Sequence, residues 1–307
     1  MNWRIKGVVQ KALSLVPFGM AGNDLLQRTL GARRKLDRQV ASKVNDDWVV
    51  LLDHMNELGI SSRGLDFLEI GTGWYPTLPV CYALAGAGRC ITFDLNRHLD
   101  AAHARKLVEA LPPHLPAIAR ASRRPLAEVE RAHRDLLEAR GIEDLLRRAR
   151  IDYRAPADAS DTHLPESSVD VAYSNSVLEH VPGPVILRIM EESHRFLRPG
   201  GVAIHSVNCG DHYAYFDRSI TQINYLSYSE REWAVWNNDI QYQNRLRAQD
   251  FLELAEKAGF EIILKKHRAK ATLLKQLESM KIAPEFRRYS PEQLACTSID
   301  FVARKPS

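Results

Sequence analysis

One stretch of this 307-residue chain constrains its fold more than any other: Phe67-Leu68-Glu69-Ile70-Gly71-Thr72-Gly73-Trp74-Tyr75-Pro76. An apolar strand runs directly into Gly-x-Gly, and a helix is predicted after Pro76. Glycines at such a turn let the backbone bend tightly and leave no Cβ between the chain and a ligand. Asp94 closes the next predicted strand, roughly 20 residues on, where a carboxylate can accept both hydrogen bonds from a ribose diol. A Gly-x-Gly alone is an ordinary tight turn. Strand, helix and spaced acid together make it a nucleotide-binding turn of an α/β fold.

The side chains around the turn narrow the nucleotide. A dinucleotide fingerprint wants a third glycine, so that a pyrophosphate can sit on the helix N-terminus. Here Trp74, Tyr75 and Pro76 occupy that region and crowd a pyrophosphate. Glu69, just before the glycines, repels phosphate if it faces the ligand and suits a cationic one. This points away from NAD and toward S-adenosyl-L-methionine, with its ammonium and sulfonium charges.

The rest of the chain fits the same architecture. Leu65–Ile70, Cys90–Asp94, Val169–Ser174, Gly201–Val207, Phe260–Leu264 and Ser298–Ala303 read as strands, separated by helical segments, the pattern of a parallel sheet with crossover helices. A helix after Pro182 carries Ile186, Ile189 and Met190 on one face and stops before Pro199-Gly200-Gly201. Another spans about Ala248 to Lys257. Residues 98–150 are too long for a simple crossover and read as a helical insertion. Its clearest helix starts at Pro125, with Leu126, Val129, His133, Leu136 and Leu137 on one side, and stops at Gly141. Arginines from Arg120 to Arg150 make the insertion basic, which is ordinarily a solvated face. Residues 1–45 read as a basic helical extension to a domain covering 46–307. Ile5, Val8, Val9, Ala12, Leu13 and Val16 form one stripe of a first helix ended by Pro17. That stripe suits either an anionic membrane surface, through residues 1–20, or the protein's own body.

Composition excludes other classes. With 45% hydrophobic and 26% charged residues the chain can bury a sizeable core. No apolar run approaches the roughly 18 residues of a membrane span, and no cleaved signal is expected. Cys81, Cys90, Cys209 and Cys296 are scattered, with no C-x-x-C pair, so a reducing, cytoplasmic setting is expected. A net charge of +4 permits acidic partners without demanding nucleic acid.

The chain resembles the class I S-adenosylmethionine-dependent methyltransferases of the small-molecule type, similar to quinone-biosynthesis and bacterial polysaccharide-cluster enzymes. The resemblance rests on Glu69-Ile70-Gly71-Thr72-Gly73, Asp94, Asp158-Ala159, the run Ser167 to Val181, and Leu197-Arg198-Pro199-Gly200-Gly201, in the family's order and spacing. It implies a Rossmann-like, mostly parallel seven-stranded sheet flanked by helices. It also implies that Glu69, Gly71 and Gly73 surround the methionine end of the cofactor, that Asp94 holds the ribose, and that Asp158 and Ala159 meet the adenine. Asn175 would lie near the cofactor and the reacting centre.

Methyl transfer is an in-line displacement, so the protein mainly aligns the nucleophile and excludes water; a hydroxyl acceptor also wants a base. His212 is the first candidate base, in the segment Cys209–Asp217 after the expected strand Gly201–Val207, with Tyr213, Tyr215 and Asp217 shaping the pocket. His180, in Leu178-Glu179-His180-Val181, is a second candidate or a structural histidine. In some family members a Glu three residues before Glu179 helps hold a metal; here Ser176 stands there, so no metal is expected. Asn244 and Arg245 are candidates for clamping substrate. The acceptor is expected to be a small molecule or glycan, and the basic first helix suits a lipid-linked glycan or a quinone. An RNA methyltransferase and a non-catalytic cofactor-binding module are the alternatives. Against the first, Ser174-Asn175-Ser176-Val177 lacks the Asn/Asp-Pro-Pro-aromatic stretch of amino-methylating enzymes.

Overall fold

The computed structural model describes residues 2–14 and 33–307. Val16 and Pro17, where the sequence places the end of the first helix, lie outside them. Seven strands form one sheet: β1 Asp66–Ile70, β2 Arg89–Phe93, β3 Ile151–Arg154, β4 Val169–Asn175, β5 Leu197–Asn208, β6 Glu261–Ala269 and β7 Cys296–Arg304. Their order is β3-β2-β1-β4-β5-β7-β6. The first five pair in parallel, and β7 runs antiparallel to both β5 and β6. The mostly parallel seven-stranded sheet expected from the sequence is the one observed. From β1 the chain steps outward to β2 and β3, then returns to place β4 on the other side of β1. Ligands of open α/β sheets bind at that reversal, beyond the carboxyl ends of the strands.

The longer helices among the described residues up to the sixth strand are α1 Trp3–Ser14, α2 Arg33–Ser42, α3 Val49–Glu57, α4 Thr77–Leu84, α5 Ala101–Ala110, α6 Leu115–Ser122, α7 Leu126–Leu137, α8 Ile142–Arg148, α9 Gly183–Phe196 and α10 Ala248–Lys257. A π-helical stretch, Lys43–Trp48, joins α2 to α3, so the helical run passes through residue 45 without a break. Leu36, Val40, Val44, Trp48, Leu51 and Met55 on this run pack with Phe67 of β1, Tyr82 of α4 and Val108, Ile118 and Val129 of the insertion in one core layer. α9 and α10 contribute to a second layer, with Ile186, Ile189, Met190 and Phe251 against β1, β4 and β5.

Several local expectations need correcting. β3 is absent from the strands expected above: with four residues at the sheet edge, it is too short to show a pattern after the helical insertion. β5 begins at Leu197 and continues through the Pro199-Gly200-Gly201 turn, which is a bulge: Val169 pairs with Leu197, then Val171 with Val202. Helix α7 has Val129, His133 and Leu136 buried, whereas Leu126, at its first turn, is exposed. α1 docks through Trp3 and Gly7, while Ile5, Val8 and Val9 of the apolar stripe are 61%, 55% and 51% exposed. Trp3 stacks among Tyr213, Tyr228, Trp233 and Trp236 at centroid distances of 5.1 to 6.3 Å. Gly7 lets the helix approach this cluster; a Cβ there would lie 3.1 Å from the Tyr213 hydroxyl.

Candidate active site

A cleft of about 490 Å³ opens at the carboxyl ends of β1 and β4, lined by the glycine turn, Trp74, Tyr75, Asn175, Val177, His103 and residues of α2 and the π-helical stretch. Gly71 and Gly73 both have left-handed backbone, with φ of +81° and +67°. A Cβ on Gly71 would sit 2.5 Å from Val177 Cγ2, so this glycine permits a close approach between the loops after β1 and β4. Gly73 faces open space, and its amide donates to Asp94 Oδ2 at 2.8 Å. Asp94 Oδ1 accepts from the Asn96 amide. Each carboxylate oxygen retains a second lone pair for a ligand hydroxyl. The Ala157 amide donates to the Asp94 carbonyl at 2.8 Å, which sets Asp158 and Ala159 beside Asp94.

Glu69 is buried on β1, and its Oε2 has no hydrogen-bond partner among the described residues. Burial pushes its carboxyl up to about 8; Thr72, Lys43 and Tyr173 pull it back down and Asp94 pushes it up. Thr72 and Lys43 both line the cleft, so the charge of Glu69 is felt there. Lys43 is a site residue that sequence reasoning misses, because in the chain it looks like one more cation of a basic extension. Its Nζ donates to Asn175 Oδ1 at 2.6 Å and pairs with Asp47 at 2.8 Å. Trp74 and Tyr75 pack against His103 at the cleft wall, tilted and edge-on respectively, with centroids at 5.7 and 5.0 Å. They leave no bare helix N-terminus for a pyrophosphate.

Farther along the same sheet edge, the turn Leu178–His180 follows β4 and the turn His212–Tyr215 follows β5. The rings of His180 and His212 lie side by side with centroids 5.0 Å apart and planes inclined by 60°, and the Tyr215 ring centroid stands 5.6 Å from that of His212. Burial, with the charges of His180 and Lys6, pushes His212 down to about 4, which keeps its imidazole neutral. Glu179 is 1% exposed. Burial raises its carboxyl to about 7, eased by its own amide, the Asn208 amide and Lys43, yet neither oxygen reaches hydrogen-bond geometry with any of them.

Four residues expected to line the acceptor pocket have structural work instead. Tyr213 is buried under α1 and its hydroxyl donates to the Trp236 carbonyl at 2.7 Å. Asp217 accepts from the Trp3 amide at 3.0 Å and so holds the start of α1. Asn244 donates to the Leu178 and Val181 carbonyls, both at 2.7 Å, and braces the turn carrying Glu179 and His180. Arg245 donates to the Tyr225 and Tyr228 carbonyls and pairs with Glu230. Sequence places these residues in the right loops but does not say which way each side chain turns. Arg247, fully buried, gives no sign of its role in the sequence either; it donates to the carbonyls of Cys209, Leu294 and Cys296 and to the Tyr225 hydroxyl.

In and around the cleft stand the Glu69 carboxyl with one unpartnered oxygen, the Lys43 ammonium, the two glycines, and the Asp94 carboxylate, whose oxygens each keep a lone pair. That donor set fits a ligand with an amino-acid end and a ribose. The profile of a family described as a methyltransferase domain matches residues 38–265. No protein of curated function matches the sequence. Among solved structures the chain is similar to an S-adenosylmethionine-dependent methyltransferase from Mesorhizobium loti, at 17% identity, covering 82% of this chain and 96% of that one with a TM-score of 0.42. It is also similar to a SAM-dependent methyltransferase from Methanosarcina mazei, at 17% identity, with coverages of 82% and 97% and a TM-score of 0.45.

Proposed function

We propose that this chain, which belongs to the methyltransferase-domain family and is an S-adenosylmethionine-dependent methyltransferase, delivers the methyl group to a hydroxyl of a small-molecule acceptor, with a glycan as the first choice. The observation that carries the reading is the adjacent pair His180 and His212, in the turns that follow β4 and β5 at the sheet edge where the cleft opens. When bound, S-adenosylmethionine supplies a methyl group already activated by its sulfonium. Glu69 meets the ammonium of its methionine end, and Lys43 is placed to meet the carboxylate. Asp94 accepts from the ribose, with Asp158 and Ala159 beside it for the adenine. Gly71 and Gly73 keep side chains out of the way. His212 has an unpartnered Nε2, buried from water, and takes the acceptor's hydroxyl proton as base. Tyr215, half-exposed, forms the pocket mouth.

The outer face of α1 supports an acceptor carried on a lipid. Residues 2–14 hold Arg4, Lys6 and Lys11 and no acidic residue. Ile5, Val8 and Val9 stand exposed on the same helix, and Lys6 lies over the exposed Phe216 ring, in the loop that carries His212. Such a face suits an anionic bilayer surface. No helix among the described residues is long and apolar enough to cross a membrane. Replacing Ile5 and Val9 by Asp is expected to reduce co-sedimentation with vesicles of anionic phospholipid; unchanged sedimentation removes the lipid part of the reading.

The acceptor class is tested with methyl-labelled S-adenosylmethionine and an extract divided into lipid, soluble, RNA and protein fractions, with Gly73→Arg as the blank. Label in the lipid or soluble glycan fraction is expected. Label in RNA overturns the acceptor assignment.

A further inference from the structure

Glu179, His180 and His212 each offer a ligand atom, and the three atoms lie within 4.8 Å of one another. A tetrahedral divalent ion with bonds of about 2.0–2.2 Å holds its ligand atoms roughly 3.3–3.6 Å apart, so the three side chains would close around it by about 1 Å through rotamer adjustment. We infer that these three side chains form a binding site for a divalent transition-metal ion, with open positions for the acceptor's hydroxyl oxygen. The inference deepens the proposed function and rests on it for the acceptor, because the ion sits where that reading puts the hydroxyl.

Three features make this a built site. First, Glu179 is buried while both its carboxylate oxygens lack a partner, and His212 Nε2 is buried and unpartnered as well. Buried polar atoms left unpaired cost stability unless something fills the gap between them. Second, His180 Nδ1 lies 2.7 Å from the Tyr242 carbonyl. A carbonyl only accepts, so Nδ1 carries the hydrogen and Nε2 keeps a lone pair for a metal. Third, the strip Tyr242-Gln243-Asn244 braces all three ligands. Tyr242 orients His180, Gln243 Oε1 accepts from the His212 amide at 3.1 Å, and Asn244 clamps the turn of Glu179 through side chain and backbone. In the sequence Asn244 is a candidate substrate clamp; in the fold it holds the groups that would touch the substrate.

The donor set narrows the ion. Two imidazoles and one carboxylate suit a borderline ion such as zinc, cobalt, manganese or iron(II) better than magnesium or calcium. Three protein ligands leave the rest of the sphere open, as in catalytic rather than structural sites. A hydroxyl bound there loses its proton more readily, and that proton passes to water. With the ion present, His212 is a ligand and the lowered hydroxyl pKa replaces its service as a base. The sequence hides the site because its third ligand stands in a different loop, 32 residues beyond His180 (212 minus 180).

The test uses tag-free, chelator-stripped full-length protein titrated with cobalt(II), read by visible absorption and by bound metal per chain. One equivalent with a low-coordinate visible band is expected. His212→Ala and Glu179→Gln are each expected to weaken binding at least about tenfold, given that even outer-shell changes cost about 10–100-fold. Both variants should still unfold cooperatively and retain the parent's S-adenosylmethionine affinity, which separates lost ligation from misfolding. Cobalt binding equal in parent and variants, or no saturable binding in the parent, overturns the site. Saturable metal binding without methyl transfer to any fraction leaves the site standing and refutes the acceptor reading; transfer in metal-free protein, unchanged by added ions, leaves the acceptor reading standing and refutes the contact between the ion and the acceptor's hydroxyl.

Discussion

A buried carboxyl that lacks partners keeps its proton to higher pH, and at Glu69 burial outweighs the help of Thr72, Lys43 and Tyr173, giving a value of about 8. A ligand ammonium beside it stabilises the charged form and lowers that value in the complex. Binding near pH 7 therefore releases a proton, and affinity rises with pH until it levels off above about 8. Calorimetry of S-adenosylmethionine binding in two buffers of different ionisation enthalpy measures the release; Glu69→Gln is expected to lose it and to bind about tenfold or more weaker, as for a lost charge-assisted hydrogen bond. The two glycines separate by a different criterion. Gly71→Ala meets Val177 and is strained by its positive φ, whereas Gly73→Ala carries only the strain, about 1–2 kcal/mol. The melting temperature should therefore fall further for Gly71→Ala. Both glycines, Glu69 and Asp94 are legible in the sequence because one strand–turn–helix unit fixes where they point. Tyr213, Asp217, Asn244 and Arg245 are not, because their directions are set by α1 and by loops distant in sequence.

At the scale of elements, the loop after β5 depends on what grips it from both sides. Trp3 and Gly7 of α1 press on Tyr213, while Arg247 ties Cys209 and Tyr225 to the start of β7. Truncating a buried Trp costs about 3–5 kcal/mol where the whole fold depends on it. α1 lies outside the sheet and its two core layers, so Trp3→Ala is expected to release the helix locally: amide exchange across residues 3–14 speeds up while the sheet stays protected. Exchange accelerating equally everywhere would mean that α1 is integral to the global fold. Arg247→Met strands several buried acceptors, each costing about 1–3 kcal/mol, and is expected to lower the melting temperature more than any surface arginine change. The apolar spacing of residues 5–16 makes α1 legible as a helix, but the face it buries is a different one. A single Trp and a Gly outweigh Ile5, Val8 and Val9 because an aromatic cluster receives them, whereas among the described residues the aliphatics stay exposed. Apolar periodicity tells which side of a helix is greasy, not which partner surface exists.

For the whole molecule, alternation of short apolar runs with helices reveals a parallel sheet, and the glycine turn with Asp94 locates its binding edge. The edge strand β3 and the antiparallel reversal at β7 depend on tertiary pairing and leave little local trace. The insertion is legible as helices but its place is not: Val108, Ile118, Val129 and Leu136 bury in the same layer as Phe67 and Tyr82. Replacing residues 101–148 by a short linker is therefore expected to expose that layer and to give aggregated protein or non-cooperative unfolding; a soluble, cooperatively folding deletion would show the insertion to be a detachable lid. On the proposed function, one sheet edge carries cofactor and acceptor chemistry side by side, and a crystal structure with S-adenosylhomocysteine would show whether it does. The ribose hydroxyls are expected within hydrogen-bond distance of Asp94, about 2.5–3.0 Å, with the amino-acid end between Glu69 and Lys43 and the sulfur turned toward the His180–His212 pair. A ligand whose ribose avoids Asp94, or whose sulfur faces away from those histidines, would contradict the account.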